Sequence, residues 1–206
     1  MAERRWLSAL TGAIASVFAV STALATGIVL WELRFAERFG HEIPDWIPLG
    51  SVYGAKAHDI IKGLDTEPKV DLTAAKVLTW RQLRQSPVNH YAWLRLAFID
   101  IVEHDHLTAD GLMALQHSYE VAPYDALTWR IKMGFETWPS LSPDLRAAVI
   151  DDLKVNWKTG RRRRAYMALP SQVVNPVGQA VLADTVQQLR TEERELRRQQ
   201  ESTAGD

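Results

Sequence analysis

The chain has 206 residues, 47% of them hydrophobic and 24% charged, with a formal net charge of -1, a balance that suits one globular domain plus an additional apolar element. It contains no cysteine, which excludes a disulfide framework, a thiolate metal site and an anchor on a lipid-modified cysteine.

The apolar element comes first. After Met-Ala-Glu-Arg-Arg the chain runs from Trp6 to Trp31 without a charged residue, and roughly 20 apolar residues suffice to cross a bilayer as a helix. This predicts a membrane span. Arg4, Arg5 and the terminal amine precede it, whereas Glu32, Arg34, Glu37 and Arg38 behind it cancel. The positive side is therefore the N-terminus, expected in the cytoplasm, with the bulk of the chain on the opposite side. A cleaved signal peptide competes with this reading through the Ala-x-Ala at Ala23 to Ala25. The anchor is favoured because the apolar run continues through Gly27, Ile28, Val29 and Leu30. Either reading exports the remainder.

From Glu32 to Arg38 the span is expected to continue as helix, until "GHEIPDWIPLGSVYG" interrupts with two Pro and three Gly. This reads as a linker or loosely packed cap, with Trp46, beside Ile43 and Ile47, in reach of either lipid headgroups or the domain. Beyond Asp71 the apolar spacing is three and four, the period of helices. The first helix starts at Asp71 or Thr73 and presents Val77, Trp80 and Leu83. The next follows Pro87 and is apolar on nearly every side. A third carries Leu112, Leu115, Tyr119 and Ala122 on one stripe; a fourth offers Leu127, Ile131, Phe135 and Trp138 and stops at Pro139. Ser142 then caps a fifth, with Pro143 at its first position and Leu145, Val149, Leu153 and Trp157 inward. A last helix starts near Pro176 or at an Asp184 cap, and is expected to fray into a charged, partly disordered tail. The division is 1–39 stub and span, 40–70 linker or cap, 71–184 helical repeat domain and 185–206 tail, an all-α chain.

One recurrence organises the middle. "SPVNHYAW" and "APYDALTW" place Pro87 and Pro123 36 residues apart, each followed six residues later by a Trp, Trp93 and Trp129. A period in that range indicates stacked helical hairpins, with Pro closing one pair and Trp wedged into the next, so both Trp are expected in the core. The unit resembles the tetratricopeptide repeat through Trp93, Leu96 and Ala97, then Gly111, Leu115, Ser118 and Pro123. It departs from that pattern where Asp100 replaces Tyr, and where Lys132, Met133 and Glu136 stand in the following copy.

A narrower resemblance lies in the order of pieces: Pro87 then Ala92-Trp93, a helix ending at Pro123, Arg130 in the next helix, Trp138 before a turn, and Arg146 after it. In this the chain is similar to single-pass, tetratricopeptide-like membrane proteins associated with bacterial exopolysaccharide and lipopolysaccharide assembly. The resemblance implies a non-enzymatic scaffold of the inner membrane with a periplasmic helical domain, binding partners of a polysaccharide assembly or export complex. It also implies a partner groove at Tyr91, Leu94, Phe98, Leu127 and Arg130.

Few residues suggest chemistry. Glu103, His104, Asp105 and His106 are crowded in "EHDHL", but adjacent side chains splay, whereas a zinc site wants converging ligands commonly spaced three to five apart. A solvated turn is the expectation, with a metal-dependent envelope hydrolase using Glu103, His104 and His106 as the alternative. His41, His58, His90 and His117 are scattered and suggest no hydrolytic triad. No catalytic, metal or cofactor residue is assigned, and no cofactor is expected. The run Arg161, Arg162, Arg163 and Arg164 covers every direction of a helix. It reads as a solvated helix start or as a site for anionic lipid, acidic polysaccharide or an acidic protein; nucleic acid is not expected beyond the membrane. An assembly factor for another envelope complex would have the same sequence features.

Overall fold

The structure, a computed structural model, describes residues 49–65, 70–125, 127–160 and 162–204, and among these it is all-helical. The charge-free run at 6–31 and Trp46 lie outside the described residues. Among the described residues no helix is long and apolar enough to cross a membrane. The chain divides into two compact units, Met1–Pro87 and Val88–Asp206. The repeat domain expected over 71–184 thus contains a unit boundary.

The described part of the first unit is a hairpin of α1 (Gly50–Lys62), ending in a short 3-10 turn at Gly63–Asp65, and α2 (Leu72–Gln85). The stretch expected as linker or cap therefore carries a helix. Its glycines do not break the helix; they face α2 across the hairpin seam. A methyl group at Gly54 would sit 2.6 Å from the Gln82 side chain, and one at Gly50 3.4 Å from Gln85. Small residues take part in the buried faces, Ala57 beside Val52 and Tyr53 on α1, and Ala75 and Thr79 beside Gln82 on α2. This seam also corrects the expected stripe of α2: Leu83 is buried, but Val77 and Trp80 are exposed. Asp71 caps α2 as expected, accepting from the Ala74 N–H at 3.0 Å.

The second unit begins with a hairpin of α3 (His90–His104) and α4 (Ala109–Val121). Asn89 caps α3 by accepting from the Ala92 N–H. The turn between the two helices is held by Asp100, buried in α3, whose carboxylate accepts from the Thr108 N–H at 2.7 Å and the Thr108 hydroxyl at 2.8 Å. Glycine is required opposite it: a methyl at Gly111 would lie 2.0 Å from Asp100 Oδ2. The position at which the repeat pattern wants Tyr is thus used here to tie a turn.

The remainder packs around α5 (Thr128–Glu136), a 3-10 turn (Trp138–Ser140), α6 (Pro143–Thr159), α7 (Arg163–Ala168), a second 3-10 turn (Leu169–Gln172) and α8 (Pro176–Ala204). The inward residues of α5 and α6 are as the periodicity predicts: Ile131, Phe135, Val149 and Leu153 are fully enclosed, and Trp138, Leu145 and Trp157 nearly so. Phe135 stacks on Trp138 at 5.1 Å, and Arg146 donates from Nε to the Trp138 carbonyl while lying over its indole. Ser142 Oγ accepts from the Leu145 N–H at 3.2 Å. Ser142→Ala is expected to lower stability by about 1 kcal/mol, the usual value of such a cap, read as a lower urea midpoint at unchanged slope.

The last helix starts at Pro176, the first of its two expected starts, and departs from expectation at its far end. Asn175, not Asp184, caps it, accepting from the Val177 and Gly178 N–H groups. It then runs unbroken to Ala204, so the boundary expected at 184 falls mid-helix. Leu182, Val186 and Leu189 are buried, and Glu193 receives Arg163 at 2.7 Å and Arg197 at 2.5 Å, which ties the charged half in place.

Candidate functional site

Among the described residues, the strongest concentration of buried polar groups lies where α4, α5 and α6 meet. Arg130 comes from the inward face of α5 and has no exposed surface. Its Nε and Nη2 both donate to Asp152 Oδ2, at 3.1 and 2.7 Å. Nη1 donates to the carbonyls of Ser118 and Ala122 at 3.1 and 2.6 Å, and Nη2 to that of Pro123 at 3.3 Å. The guanidinium also lies 4.2 Å from the centre of the Tyr119 ring. These carbonyls belong to the end of α4, which lacks the N–H partners of a continuing helix, so the fork of Arg130 supplies what the chain turning at Pro123 cannot.

Asp152 is equally enclosed and is held by Asn156, one turn later on α6. The Asn156 amide donates to Asp152 Oδ1 at 2.7 Å and to the Asp125 carbonyl at 3.2 Å. Asp125 in turn brings its carboxylate to 2.5 Å from Nε2 of His90 at the start of α3. The network therefore joins α3, the end of α4, α5 and α6. Burial pushes the Asp152 carboxyl up, to about 6, with the Arg130 guanidinium opposing. The Tyr119 phenol is raised by burial, again against Arg130, and the Tyr166 phenol is raised by burial and next by the Asp152 charge.

This arrangement corrects the expected groove. Leu94 and Arg130 are fully buried and Leu127 nearly so, Phe98 is half-buried, and only Tyr91 among the five is exposed. The reason is that Leu127, just before α5, and Arg130 and Ile131 within it turn inward, which puts Trp129 on the outside. Trp129, expected in the core, is 41% exposed, while Trp93 is half-buried against the His117 ring at 4.7 Å. The two tryptophans of the recurrence are thus not equivalent in packing.

Comparisons with protein-family models, with curated proteins and with solved structures find no match.

The histidine cluster is placed as follows. Asp105 takes the left-handed conformation that ends α3, with φ 60°. His104 Nδ1 turns back to the Asp100 carbonyl at 3.0 Å, and His106 Nδ1 lies 2.7 Å from the His104 carbonyl. Among the described residues no three His, Asp or Glu side chains are grouped to hold a metal ion.

The arginine run is divided by the fold. Arg163 faces inward, donating to Glu193 and lying 5.6 Å over Trp157, while Arg162 and Arg164 are exposed. Arg161 lies outside the described residues. Sequence reasoning missed Asp152 and Asn156. The available signal was their position: both fall on the apolar stripe of α6, three residues after Val149 and one before Trp157 respectively. A buried carboxylate there demands a cation, and Arg130 is the residue that meets it.

Proposed function

We propose that the chain is a non-enzymatic scaffold held at a bacterial inner membrane by the run at 6–31, with its helical hairpins, tetratricopeptide-like in plan, placed in the periplasm to bind proteins of a polysaccharide assembly or export complex. The observation that carries the binding role is the exposure of Tyr124 and Trp129, at 60% and 41%, beside the Arg130 network. Exposed aromatics on a frame pinned by buried hydrogen bonds are suited to partner recognition, because little conformational entropy is lost on docking. The membrane part rests on the charge-free run, and the polysaccharide part on the sequence resemblance.

Two measurements test it. Membranes washed with alkaline carbonate should retain the chain; its release into the supernatant would remove the anchor. Crosslinking in intact cells should then recover inner-membrane proteins of polymer export with the native chain, and lose them with the Tyr124→Ala/Trp129→Ala double variant. Recovery that is unchanged in the variant would place the binding surface elsewhere, and recovery of a different envelope complex would keep the scaffold and replace its partner.

A further inference from the structure

Between Asp152 and Asp184 the chain has no acidic residue, yet it holds Lys154, Lys158 and four consecutive arginines. The fold uses part of this charge internally, Arg163 on Glu193 and Lys154 near Asp151 at 3.7 Å. Arg162 and Arg164 remain at the surface, Arg162 reaching no closer than 3.5 Å to the Thr128 hydroxyl. The same short segment exposes apolar side chains: Met167 one turn after Arg164, then Val174 at 85% and Val177 at 53%. It is not a loose strand, since Tyr166, Leu169 and Val173 are buried beneath it. Glu136, a carboxylate that reaches this segment from α5, is turned onto the Val174 and Asn175 N–H groups at 2.9 to 3.0 Å.

Surface guanidinium groups followed along one segment by outward apolar side chains, with Tyr166, Leu169 and Val173 buried beneath, match the two layers of an anionic bilayer: phosphates for the arginines and the acyl boundary for Met167 and the valines. A soluble acidic polymer would suit the arginines and leave Val174 and Val177 in water. We propose that the face formed by α7 and the turn into α8, residues 162–177, docks on an anionic phospholipid surface. The proposal rests on the reading above for the nearness of a bilayer, and gives the helical domain a second, peripheral contact with it.

The absence of cysteine makes the test direct. The full chain carrying Val174→Cys is labelled with an environment-sensitive fluorophore and mixed with vesicles of phosphatidylcholine alone or with phosphatidylglycerol added. A blue shift is expected only with the anionic vesicles, reversed by salt, and absent from a label at Leu196→Cys on the exposed end of α8. In an Arg162→Gln/Arg164→Gln background with unchanged helical circular dichroism, half-maximal shift should need about 30-fold more anionic lipid, the effect expected of two surface arginines. No shift, or a half-maximal point that both substitutions leave unmoved, overturns the docking face, as does a shift driven by a soluble polyanion and not by vesicles. Flotation with phosphatidylcholine vesicles reports on the anchor separately, so either idea can fail while the other stands.

Discussion

Arg130→Ala is expected to destabilise the second unit by about 3–5 kcal/mol, the range for removing one partner of a buried ion pair. On the scaling for domains of this size the melting temperature should fall by roughly 10–25 °C, measured by far-UV circular dichroism. The substitution leaves the Asp152 carboxylate enclosed without its cation, and the carbonyls of Ser118, Ala122 and Pro123 without their donor. Each of these costs more than the net worth of the bond it made, because the group stays desolvated. Replacing both members, Arg130→Met with Asp152→Leu, should be less damaging than Arg130→Ala alone, since it removes the orphaned charge and fills the space. A single variant within about 1 kcal/mol of the native chain would show that the network is not what holds the end of α4.

The pH dependence follows with a definite sign. Asp152 has a folded-state pKa raised above its unfolded value, to about 6, so the native chain holds that proton more tightly than the unfolded one. Its ionisation therefore costs stability as pH rises from the ordinary carboxylate range through the folded pKa. Without Arg130 the opposing influence is gone and this cost grows. The deficit of Arg130→Ala should accordingly be larger at neutral pH than under mildly acidic conditions, where Asp152 is protonated. An identical deficit at both would show that the carboxylate is not the group left unpaired.

Sequence reasoning succeeded where the governing interactions are local. The Asp71 and Ser142 caps, the Pro143 start and the four-residue spacing in α6 each depend on residues within a turn or two, and each appears in the structure. It failed where a residue's role is fixed by another helix. Gly50 and Gly54 read as punctuation because nothing local reveals Gln82 waiting across the seam. Trp129 read as core because it aligns with Trp93; the alignment could not show that Arg130, beside it, takes the interior position to meet a carboxylate 22 residues later. The charged end of α8 read as frayed because the partner of Glu193, Arg163, lies 30 residues earlier. The candidate site was legible only as separate members: Arg130 stood out, but its setting depends on Asp152 and Asn156, which sit on an apolar stripe and are informative only once the helices are packed.

Gly178→Ala is expected to be the most damaging glycine-to-alanine change among the described residues. Gly178 lies in the first turn of α8, where an added Cβ would fall 1.7 Å from the Phe135 carbonyl oxygen, 2.7 Å from its carbon and 3.2 Å from Trp138 Cβ. These are backbone atoms of α5 and the root of an indole stacked on Phe135, so no flexible side chain can yield. The start of α8 would have to withdraw, and with it Asn175, whose N–H is bound by Glu136 at 2.9 Å. Overpacking of a rigid site costs about 1–3 kcal/mol and occasionally more; here the upper end or beyond is expected. Gly54→Ala provides the comparison, because the nearest atoms its methyl meets are the far end of the Gln82 side chain. Displacement of that amide is offset by the roughly 1 kcal/mol by which Ala exceeds Gly in a helix interior. Urea midpoints of the two variants should therefore differ sharply, Gly54→Ala staying near the native value and Gly178→Ala falling well below it. Equal midpoints would mean that α8 does not press its first turn against the end of α5, and that the buried faces of Leu182, Val186 and Leu189 hold it at a greater distance.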